Sequence, residues 1–82
     1  MAHILTTKMV KVRNNPKVMV TSFLGSARYD WDYALSVEEN HSLSAGHYLY
    51  EVNKERAGDR LWHIVAGGQL PDDGYGFVID LK

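Results

Sequence analysis

Eighty-two residues with 45% apolar side chains supply one compact core, not a second domain or an enclosed catalytic cleft, so residues 1–82 are expected to form a single domain. Nine basic against ten acidic residues leave a formal net charge of -1, which excludes the global positive field that holds nucleic acid by its phosphates. The chain has no cysteine, and this removes disulfide frameworks, thiolate zinc sites and thiol nucleophiles together.

The first nine residues break their short apolar pieces with Thr6, Thr7 and Lys8, unlike the core of a signal peptide, and no stretch is long enough to span a bilayer. No membrane partner is expected. Across residues 4–13, Val10 and Val12 alternate with Lys11 and Arg13, the period of a half-buried strand. Asn14, Asn15 and Pro16 break it, and Val18, Val20 and Thr21 resume β-branched character, so the two runs are expected to pair as a hairpin. Residues 25–40 are harder to place. Tyr29 to Tyr33 alternates aromatic with acidic, while Trp31, Ala34 and Leu35 also fit one helical face; the reading favoured is a long excursion with strand character at its base.

Further on, Tyr48, Tyr50 and Val52 interleave with Leu49 and Glu51 and read as a strand. Residues 53–59 form a charged turn. Leu61, Trp62, His63, Ile64 and Val65 make an apolar strand stopped by Gly67 and Gly68, and a last strand over residues 75–79 is reached through Pro71, Asp72, Asp73 and Gly74. Five or six short strands without a helix predict an all-β fold, a small barrel.

Four segments carry a resemblance to a known family. They are Val10-Lys11-Val12-Arg13-Asn14-Asn15-Pro16, Leu43-Ser44-Ala45-Gly46 with Tyr48-Leu49-Tyr50-Glu51-Val52, Leu61-Trp62-His63-Ile64, and Gly67-Gly68 through Gly74-Tyr75-Gly76-Phe77-Val78. In this order they resemble the bacterial SH3 domain, a module of cell-wall hydrolases and phage endolysins. The resemblance implies an SH3-like barrel with an enlarged loop between its first and middle strands, since more residues separate Pro16 from Leu43 than is usual there. It also places Trp62 near a ligand groove.

The chemistry centres on Tyr29, Asp30, Trp31, Asp32 and Tyr33. Flat aromatic faces beside carboxylate acceptors suit sugar rings, cationic peptide groups or a protein partner; the same alternation also suits core packing. Asp30 and Asp32 lack the further ligands and the glycine of a calcium loop, and His3, His41, His47 and His63 lack zinc spacing, so no metal and no cofactor is expected. Most of the histidines are read as surface residues. Glu38, Glu39 and His41 come nearest to a catalytic constellation and read as a solvated turn, while Gly67, Gly68 and Gly74 read as turn glycines rather than a phosphate cradle.

These residues predict a binding module and not an enzyme. Its leading function is to hold an attached lytic hydrolase on peptidoglycan, outside the cell, through Tyr29, Asp30, Trp31, Asp32, Tyr33, Trp62 and Tyr75. The alternative is a stand-alone phage or bacterial protein that works inside the cell and binds a host or structural protein through the same aromatic loop. A third route is self-assembly through an exposed strand edge.

Overall fold

Alternation along the first ten described residues sets the architecture. In β1 (His3–Val12), Leu5 and Thr7 are buried on one face while Ile4 and Lys8 stand exposed on the other. The chain reverses over Arg13 and Asn14, whose φ angles of 53° and 67° are both left-handed, the tight turn whose twist matches paired strands. Strand β2 (Asn15–Ser22) returns antiparallel with Val18 and Val20 buried beside Leu5 and Thr7. A second turn delivers β3 (Gly25–Asp30), entered at Gly25 with φ 121°, a conformation open to glycine alone. The computed structural model describes residues 2–56 and 60–81.

A 17-residue helix, α1 (Val37–Asn53), comes next. Ser36 caps it by accepting from the Glu39 N–H (3.1 Å), while the Glu39 carboxylate accepts from the Ser36 N–H (3.0 Å), a reciprocal capping box. His41, Ser44, Ala45, Tyr48 and Leu49 are buried and Val52 half-buried, the stripe of a helix lying on a sheet. Strand β4 (Trp62–Gln69) lies at one edge of the sheet, and β5 (Tyr75–Leu81) lies between it and β1. The order is β3-β2-β1-β5-β4, antiparallel throughout.

The core lies between α1 and one face of the sheet, where Leu5, Val18, Val20, Phe77 and Ile79 meet Ala45, Tyr48 and Leu49, with Trp62 at its margin. Each large aliphatic side chain buried there contributes about 1.5–3 kcal/mol. Two asparagines pin the helix. Near its start Asn40 accepts from the Asp32 N–H (2.8 Å) and donates to the Asp32 carbonyl (2.9 Å). At its end Asn53 accepts from the Trp62 N–H and donates to the Trp62 carbonyl, both at 2.9 Å. Each side chain thereby closes a ladder step that backbone alone leaves open.

The chain is thus mostly antiparallel sheet, with five strands among the described residues, as its alternation predicts. The sheet is not closed into a barrel. Three expectations are corrected. Residues 48–52, read as a strand, are helical, because Ala45, Tyr48, Leu49 and Val52 share one helical face and Tyr50 stands 62% exposed on another. The segment between Pro16 and Leu43, read as an enlarged loop, holds most of β2, all of β3 and the start of α1. Gly67 and Gly68 do not stop β4 but lie within it; a Cβ on Gly67 would stand 2.6 Å from the Phe77 ring, so a bare residue is needed where that ring covers the strand. Gly74, by contrast, does lie in the turn before β5. The charged turn over residues 53–59 falls partly outside the described residues.

Candidate ligand groove

The register of β3 decides which side of the sheet each member of the aromatic run serves. Tyr29 pairs with Val18 and faces α1, whereas Asp30 pairs with Lys17 and faces away. Between β3 and α1 a groove of about 520 Å³ is lined by Lys17, Arg28, Tyr29, Asp30, Asp32 and His47, with Asn40 at its floor. The Tyr29 ring stacks on His47 at 4.7 Å between centroids and 28° between planes. Burial, with Glu51 and Tyr48 nearby, raises the Tyr29 phenol above its ordinary pKa and keeps it neutral. Lys17 pairs with Asp30, whose side chain is 87% exposed. Asp32 is held in place: its carboxylate accepts from the Ala34 N–H (2.9 Å) and its backbone is clamped by Asn40.

Of the seven residues predicted to touch a ligand, three line this groove: Tyr29, Asp30 and Asp32. Trp31 is half-buried and turns its ring edge-on to His41, with 6.0 Å between centroids. Tyr33 is 80% exposed on the loop after β3. Trp62 is buried at the sheet margin, where its ring meets His3 and Phe23 edge-on and Arg56 lies over it. Tyr75 lines a second groove, of about 400 Å³, between α1 and β4.

The fully buried His41 corrects its reading as part of a solvated turn. Its Nδ1 and the Thr7 hydroxyl are hydrogen-bonded at 2.7 Å, and its ring lies 4.5 Å from that of Tyr75. Desolvation lowers its pKa, so it is a neutral core group. Glu38 and Glu39 do lie exposed, in the first turn of α1, where bonds from Ser36 hold the Glu39 carboxyl below its ordinary pKa.

Sequence reasoning missed His47, Lys17 and Asn40. Only the helical phase of residues 37–53 carries His47 beside Tyr29, and only strand pairing carries Lys17 to Asp30. The readable signal was the Ser36-x-x-Glu39 box, which fixes that phase. Among the described residues no group of three His, Asp or Glu side chains is placed to hold a metal ion, and no helix is long and apolar enough to cross a membrane. No family model matches the chain, and no curated protein or solved structure matches it.

Proposed function

We propose that the chain is a non-catalytic binding domain for a bacterial cell-wall polymer, which it takes in the groove between β3 and α1. One observation carries this reading: a stacked ring pair, Tyr29 on His47, stands beside two carboxylates, Asp30 and Asp32. Peptidoglycan offers both complements, with sugar faces for the rings and stem-peptide amines for the carboxylates. An amine arriving at Asp30 exchanges with Lys17 as the partner of that carboxylate. Tethered to a lytic hydrolase, even weak recognition of this kind raises the local concentration of substrate. The sequence resemblance to bacterial SH3 domains supports the same ligand class through its segments in β1, β4 and β5, although its second segment is helical here.

The test is co-sedimentation of the purified chain with isolated sacculi. Asp30→Ala with His47→Ala changes two solvent-facing side chains and leaves the core intact. The expected result is retention of the wild type and at least about tenfold weaker retention of the double variant, comparable to losing one charge-assisted contact and one ring contact. Failure of the wild type to sediment with sacculi from several bacteria overturns the reading.

A second reading, a protein-binding module, is favoured by Tyr33, which presents its ring to solvent on the loop after β3. Exposed tyrosines of this kind anchor protein interfaces. In that case Tyr33→Ala, and not the groove variant, abolishes partner capture.

A further inference from the structure

The outermost strands of an antiparallel sheet present unpaired backbone N–H and C=O groups, and proteins ordinarily guard them with charge. The two edges of this sheet are β3 and β4, and they are guarded unequally. β3 is six residues long and carries Arg28 and Asp30. β4 is eight residues long, and over residues 64–69 it reads Ile-Val-Ala-Gly-Gly-Gln with no charge and every residue exposed, Val65 to 57%.

The flanks of β4 differ in sign. Residues 54–60 before it hold three basic side chains, Lys54, Arg56 and Arg60, against the acidic Glu55 and Asp59. After it come Asp72 and Asp73, and Glu38 borders the groove beside the strand. A second β4 laid parallel sets like charge on like. Laid antiparallel, it sets the basic flank of each copy on the acidic flank of the other, twice. Shape gives the same answer: about a centre at Ala66, the extra residue at Val65 sets Ile64 and Val65 of one copy opposite Gly67 of the other and His63 opposite Gly68, so each bulky residue meets a bare one.

We propose that β4 pairs antiparallel with β4 of a second copy of this chain about a two-fold axis at Ala66, joining the two sheets into one. The register shift between Ile64 and Ala66 is then a feature of the joint. Ile64 and Val65 of each copy cover the groove between α1 and β4 of the other.

Sedimentation equilibrium of the full chain across micromolar to millimolar concentrations is expected to reach twice the chain mass. Val65→Lys, at an exposed position, is expected to weaken association at least about tenfold with the far-ultraviolet circular dichroism unchanged. Because the chain has no cysteine, single cysteines report the register. Ala66→Cys is expected to crosslink to itself on oxidation. His63→Cys is expected to crosslink only when mixed with Gly68→Cys, a position where an added Cβ meets nothing within 4 Å. A monomer throughout the range, a dimer indifferent to Val65→Lys, or self-crosslinking of His63→Cys overturns the proposal.

Discussion

An asparagine side chain carries a donor and an acceptor spaced as in a peptide group, which lets Asn40 act as one extra rung between α1 and the loop after β3. It is buried, and it reaches the Asp32 N–H and the Asp32 and Ser36 carbonyls at once. Asn40→Ala strands those groups and is expected to cost about 2–3 kcal/mol, read as a fall in the urea midpoint with unchanged slope; loss of well under 1 kcal/mol would mean that water replaces the amide. His41 offers a pH test. Its pKa in the folded chain lies below the ordinary 6.5 because the ring is buried, so as the pH falls the unfolded chain takes up the proton first. The stability this neutral imidazole contributes is complete above about pH 6.5 and is lost as the pH falls through the lower folded value. Unfolding midpoints are therefore expected to drop between pH 7 and 5, with the His41 ring protons titrating below 6.5 by NMR. Asn40 did not stand out in the sequence, and His41 stood out only as part of a solvated turn. A lone asparagine or histidine has no neighbours until strands and helix are placed, whereas Tyr29, Asp30 and Asp32 were legible because aromatic and acidic side chains announce their chemistry without a fold.

Whereas β3 lay in the stretch read as a long excursion, strands β1, β2, β4 and β5 were legible as elements because their period is two and their turns hold Asn, Pro, Gly and Asp. The helix was not, since Tyr48, Tyr50 and Val52 are residues that favour strands and happen to alternate. Its length and its burial stripe over Ala45, Tyr48, Leu49 and Val52 override that local preference, and the cap at Ser36 fixes where it begins. Ser36→Ala is expected to cost about 1 kcal/mol, seen as a lowered thermal midpoint, and Ser36→Asp to restore it. In β4 the glycines have opposite tolerances. Gly67→Ala drives a Cβ into the buried Phe77 ring and is expected to cost about 1–3 kcal/mol, while Gly68→Ala meets open space. Comparing the two midpoints separates a packing role for Gly67 from mere backbone freedom, which would make the pair equivalent.

At the scale of the whole molecule, the described residues form one open sheet roofed on one face by one helix, and its stability cannot be uniform. β1 is hydrogen-bonded on both sides, to β2 and β5, and carries Leu5 and Thr7 in the interior. β4 is bonded on one side, and beyond Trp62 its residues lie largely in solvent. The β1–β5 pairing also joins the β1–β3 meander to the closing β4–β5 hairpin, so its loss separates the two halves and amounts to global unfolding. Hydrogen exchange of the dilute, monomeric chain is therefore expected to rank the amides of residues 4–7 and 76–79 as slowest, with free energies of opening near the global value. Residues 64–69 are expected to exchange through local fraying of the edge. Raising the concentration adds a discriminating arm: if two copies join through β4, residues 64–69 alone gain protection while β3 stays as it was. Equal protection of both edges at every concentration would mean that the molecule opens as a unit and that neither edge is held by a partner.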